Sequence, residues 1–100
     1  MAVVSKVLAR TAAATTSSTL YTTPSGSTAV VTNIVIANST TAAVTATIAL
    51  DSVSLVPAVS IAANSIFGFD LKQVLDATKT ITGFASSTSV TFHISGVEVA

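Results

Sequence analysis

Nine side chains in this 100-residue chain could do acid–base or metal chemistry, and their spacing argues against any of it. The only histidine, His93, stands between Phe92 and Ile94, where strand alternation puts it on the face opposite those two apolar side chains. A general base needs a partner within hydrogen-bond reach, and a zinc site needs three or four ligands. His93 therefore reads as a polar-face residue of a terminal strand. The carboxylates are Asp51, Asp70, Asp76 and Glu98. Asp51 followed by Ser52 suits a turn, and Asp76, in a helical turn over 72–78, suits local hydrogen bonding. A paired-carboxylate glycosidase would need sugar-binding aromatics around it, but the chain has no Trp, one Tyr and four Phe. A carbohydrate-binding module meets the same objection, since Tyr21 and an exposed Phe are the only side chains that could stack on a sugar.

Ser and Thr are too frequent for their positions to mark a nucleophile, and no G-x-S-x-G occurs. Gly26, Gly68, Gly83 and Gly96 are scattered, so no loop cradles a phosphate. The absence of cysteine removes disulfides, thiolate metal sites and a cysteine nucleophile. The expectation is a non-enzymatic protein with no catalytic residues, no metal site and no cofactor.

Charge is the most unusual feature. Charged residues make up 8% of the chain, where about 25% is ordinary. Lys6 and Arg10 give the first half +2, and the four acids with Lys72 and Lys79 give the second half −2. That is too little positive charge for nucleic-acid binding, which needs a basic patch across several phosphates. No apolar run approaches the roughly 20 residues of a membrane span, and Lys6 and Arg10 interrupt what would be the apolar core of a secretory leader. Hydroxyls replace charges as the solvating groups. A near-neutral, charge-poor surface favours association, so a homo-oligomer that contacts other proteins is expected.

The elements that would position these residues are strands. The apolar half of the chain is mostly Ala and Val, and β-branched side chains pack well on a pleated sheet. Residues 1–19 form an N-terminal strand or arm, with Val3, Val4, Val7 and Leu8 ahead of the low-complexity run TAAATTSST. Residues 20–100 form the main domain. Leu20–Thr22 starts a strand, and Pro24–Ser25–Gly26 turns it. Residues 28–38 make a long strand with Ile34 and Ile36 on one face and Val31 and Val35 on the other. Residues 43–51 alternate, with Val44, Ala46, Ile48 and Leu50 inward and Thr45 and Thr47 outward. Val53, Leu55, Val59 and Ile61 keep a period of two around Pro57, which marks an edge or bend. Phe67, Phe69 and Leu71 define another strand, residues 72–78 hold one helical turn, and residues 79–85 and 90–99 close the domain. Seven to eight short strands with regular turns predict a single antiparallel β-sandwich, of jelly-roll or immunoglobulin-like topology.

The run Leu20–Tyr21–Thr22–Thr23–Pro24–Ser25–Gly26, followed by Thr28–Ala29–Val30–Val31 and an apolar strand ending at Asn38, resembles small tail- and head-associated structural proteins of tailed bacteriophages. Their pattern is of the type L-Y-T-x-P-x-G-x-x-x-V-V. The closing Ser95–Gly96–Val97–Glu98–Val99 is similar to their C-terminal strand. The resemblance implies a virion protein present in many copies, either a minor tail protein or a capsid decoration protein, with tail or major capsid proteins as partners. It carries over no catalytic residue. A receptor- or glycan-binding module at a tail tip is the alternative.

Overall fold

Eight strands follow one another without a helix among the described residues, 3–100, of the computed structural model. They are β1 (Val3–Ala12), β2 (Ser18–Thr22), β3 (Thr28–Asn38), β4 (Val44–Leu50), β5 (Val53–Ile61), β6 (Ser65–Leu75), β7 (Thr80–Ala85) and β8 (Val90–Val99). They form two four-stranded sheets in the orders β1-β8-β3-β6 and β2-β7-β4-β5. Every pairing is antiparallel. The first strand pairs with the eighth, the second with the seventh, the third with the sixth and the fourth with the fifth. The chain is thus one long hairpin, folded at the β4–β5 turn and wound into two layers. That connectivity is a jelly roll, which decides between the two topologies the sequence left open.

The inner faces meet in a core of Ile, Val, Leu and Ala with one fully enclosed aromatic, Phe92. Val31, Ile34, Ile36, Ile48, Ile81 and Ile94 are completely buried around it. The alternation in β4 and β8 is as the sequence predicts, with every second residue inward. Residues 3–12 are a strand of this same sandwich, hydrogen-bonded along the outer side of β8.

Three local departures correct the sequence reading. Val31 lies inside with Ile34 and Ile36, not on the face of Val35, because the register shifts between Val31 and Asn33. The extra residue, Thr32, forms a bulge and resets the alternation. In β5 the inward residues are Val56, Val59 and Ile61, with Leu55 partly buried against the core as expected, while Val53 is exposed. The cause is an irregularity at Pro57–Ala58, where Ala58 takes φ 49° and its N–H is donated to the Thr47 hydroxyl at 3.2 Å. β5 is an edge strand, the place where a sheet accepts proline. Finally, residues 72–78 hold no helical turn. Gln73, Val74 and Leu75 pair with Val31, Val30 and Ala29, and only the residues after Leu75 turn. Pairing with a central strand satisfies more backbone groups than one isolated helical turn would.

Candidate functional site

The residues with chemical potential are dispersed over the sandwich. His93 is half-buried on the outward face of the β1 sheet, opposite Arg10 on one side and Val35 on the other. Its Nε2 lies 3.4 Å from the Thr91 hydroxyl. Asp70 is outward on β6 and accepts a 2.9 Å hydrogen bond from Asn33 Nδ2. Asp51 occupies the β4–β5 turn and forms an exposed 3.7 Å ion pair with Lys79. Asp76 follows β6, and its carbonyl accepts the Lys79 N–H at 3.1 Å. No group of three or more potential metal ligands occurs among the described residues.

One constellation does form, and it joins the two sheets. Glu98 points inward from β8, where it pairs with Val4 and Ala29. Its carboxylate accepts from Lys6 Nζ at 3.2 Å and from the Tyr21 hydroxyl, which reaches across from β2. The Tyr21 hydrogen bond and Lys6 hold Glu98 below the usual carboxylate range despite partial desolvation. Burial and the adjacent carboxylate push the Tyr21 phenol well above its ordinary value. Buried Thr23 lies beside the phenol, and its hydroxyl has no hydrogen-bond partner among the described residues. The chemistry is that of a clamp. The phenol is held neutral and the carboxylate charged, so the proton stays on tyrosine. The sequence displays these residues but not their meeting, since Tyr21 and Glu98 are 77 positions apart.

At the opposite end, Asn38 is almost fully buried. Its Nδ2 donates to the carbonyls of Ala42, Ile61 and Ala62 at 2.9, 3.2 and 3.0 Å. Its Oδ1 accepts the Thr40 N–H at 2.9 Å and the Thr40 hydroxyl at 2.7 Å. One side chain thereby ties the β3–β4 loop to the β5–β6 loop. A shallow depression of about 220 Å³ opens beside it, lined by Ala37, Ser39, Asn64, Ser65 and Ile66. The amide is fully engaged in the fold and offers that depression no free polar group.

The two outward faces differ in kind. Cross-strand pairing puts Thr19, Thr45, Thr47, Thr80, Thr82 and Ser60 on the outside of the β2 sheet, with Phe84 among them opposite Thr47. This is the hydroxyl-wetted surface foreseen from composition. The outside of the β1 sheet is valine-rich instead. Val30 is flanked by Val74 and Val97, and Val3 pairs with Val99. Val3 and Val74 are 65% and 64% exposed, although β-branched apolar side chains are ordinarily buried. No family model, no curated protein and no solved structure matches this chain.

Proposed function

We propose that this protein is a non-enzymatic structural component of a tailed-bacteriophage particle, a small jelly roll that self-associates and docks on tail or capsid proteins. The observation that carries the proposal is the valine row Val97–Val30–Val74, with Val3 and Val99 beside it, on the outward face of a chain with so few charges. A monomer living alone in water would expose that face at the risk of edge-to-edge and face-to-face aggregation. In an assembly the same face is covered. The resemblance of the Leu20–Gly26 turn and the β3 strand to small phage head and tail proteins supplies the setting. The jelly roll alone does not select it, because viral capsid domains, lectins and cupins share that architecture.

The polar groups support an architectural role. Lys6 and Tyr21 both bind Glu98, Asp51 pairs with Lys79, and Asn38 staples loops. The glycan-binding alternative has less support, because Tyr21, its best stacking residue, is committed to Glu98. Mass spectrometry of intact, gradient-purified particles tests the proposal together with sedimentation of the isolated protein. The expected results are multiple copies per particle and a concentration-dependent oligomer. Absence from particles, with a monomer at high concentration, would overturn it.

A further inference from the structure

We infer that the outward face of the β1 sheet binds a second copy of this chain, face to face, about a two-fold axis parallel to the strands between β8 and β3. The inference rests on the self-association proposed above and names the surface and the geometry that would perform it. Such an axis lays β8 of one copy over β3 of the other and β1 over β6. Val97 of each copy then covers Val30 of the second copy, because those two residues share one cross-strand row. Val74 of each lies over Ser5 of the second copy, in the same row. The valine patch is thus complementary to itself, as an isologous interface requires.

Of the charges on this face, Arg10 and Asp70 favour the same arrangement, and Lys72, exposed on the edge strand β6, takes no part in it. Arg10 is outward on β1, opposite His93, and makes no ion pair among the described residues. Asp70 is outward on β6, at the other edge of the sheet and one row away. The two-fold brings Arg10 of each copy above Asp70 of the second copy, within the reach of the long guanidinium side chain. A cation on one edge and a carboxylate on the other are what a face needs to recognise its own inverse. Area is also sufficient. Four strands at about 4.8 Å and eight residues at about 3.4 Å give roughly 500 Å² per copy. The total of about 1,000 Å² reaches the lower bound of a specific interface. The outward face of the β2 sheet sets Phe84 and Ala49 among threonines and lacks a continuous valine row, and its Asp51 and Lys79 pair with each other.

Sedimentation equilibrium of the intact chain and four variants tests this. Val97→Lys is expected to abolish dimers, because it places an unpaired ammonium against valine. Thr47→Lys, on the opposite face, is expected to leave them unchanged. Arg10→Asp alone is expected to weaken association about fivefold to tenfold. Arg10→Asp combined with Asp70→Arg is expected to restore it. The charge-swap pair sits at the rim, so it reads the geometry even if Val97→Lys fails to fold. A monomeric wild-type chain would overturn the inference, as would a Thr47→Lys variant that dissociates or a double swap that gives no rescue. An oligomer that Val97→Lys and Arg10→Asp both leave intact would also overturn it while leaving the particle role standing. Particles that lack the chain would remove that role whatever the dimer does.

Discussion

Replacing Asn38 separates its two halves. In Asn38→Ala the carbonyls of Ala42, Ile61 and Ala62 lose their common donor, and the Thr40 N–H and hydroxyl lose their acceptor. The amide has two hydrogens for three carbonyls, so one is shared, and the network amounts to about four bonds. At about 1 kcal/mol net for each, less what water recovers at the loop ends, the cost is about 3 kcal/mol. For a 100-residue chain that lowers Tm by about 15 °C. Asn38→Asp keeps the acceptor for Thr40 but turns a second oxygen toward the three carbonyls. That carboxylate is easier to protonate in the folded state than in the unfolded chain, because its protonated form can donate to a carbonyl. A folded pKa raised in this way makes the destabilisation greatest above that raised folded pKa and smaller as pH falls toward the unfolded value of about 3.9. Urea unfolding of both variants and the wild type at pH 7 and pH 4 reads this directly. The gap between Asn38→Asp and wild type should narrow on acidification, while that of Asn38→Ala should not. An Asn38→Ala cost below about 1 kcal/mol, or an aspartate variant whose deficit ignores pH, would refute the stapling argument.

Three other perturbations have definite signs. Asp51 and Ser52 both take positive φ, 52° and 63°, in the two-residue β4–β5 hairpin, a turn that favours glycine at its second position. Ser52→Gly should therefore raise stability by about 0.5–1 kcal/mol with an unchanged urea m-value. Gly96→Ala should lower it by about 3 kcal/mol, since a Cβ there would collide with the Val30 carbonyl and lie 2.9 Å from Leu8 Cδ1. The Tyr21–Glu98 clamp should weaken at both ends of the pH range. Glu98, depressed in the fold, contributes above its ordinary value of 4.5, and that contribution is lost as pH falls through the depressed folded pKa. Tyr21, raised in the fold, contributes below its ordinary value of 10.0, and that contribution is lost as pH rises through the raised folded pKa. Tyr21→Phe should remove the alkaline loss, as read by Tm against pH.

The strands were legible where alternation runs unbroken. Residues 28–38 and 90–99 coincide with β3 and β8, and the Val44–Leu50 pattern assigns each face of β4 correctly. Legibility ended at bulges, because one extra residue exchanges the faces of the strand on its two sides. Thr32 did this to Val31, and Pro57–Ala58 did it to Val56. Local propensity also misled at residues 72–78, where pairing with β3 overrides the weak helical preference of Lys72–Gln73–Val74–Leu75. The polar contacts were not legible for a different reason. Asn38 is bound by carbonyls up to 24 residues away, and Glu98 by a tyrosine 77 residues away. Only the winding of the long hairpin brings them together. The low charge count was visible at once, but its meaning depended on the sheets. Threonines gather on one outward face and valines on the other, and that partition follows from register.

A reconstruction of the phage particle with this chain located by density tests the central claim most directly. The account predicts repeated copies of an elongated sandwich, about 46 × 21 × 17 Å in extent, on the head or the tail, with the valine face of the β1 sheet covered and the threonine face of the β2 sheet turned to solvent. Particles without such density, or copies that expose the valines and bury the threonines, would contradict it.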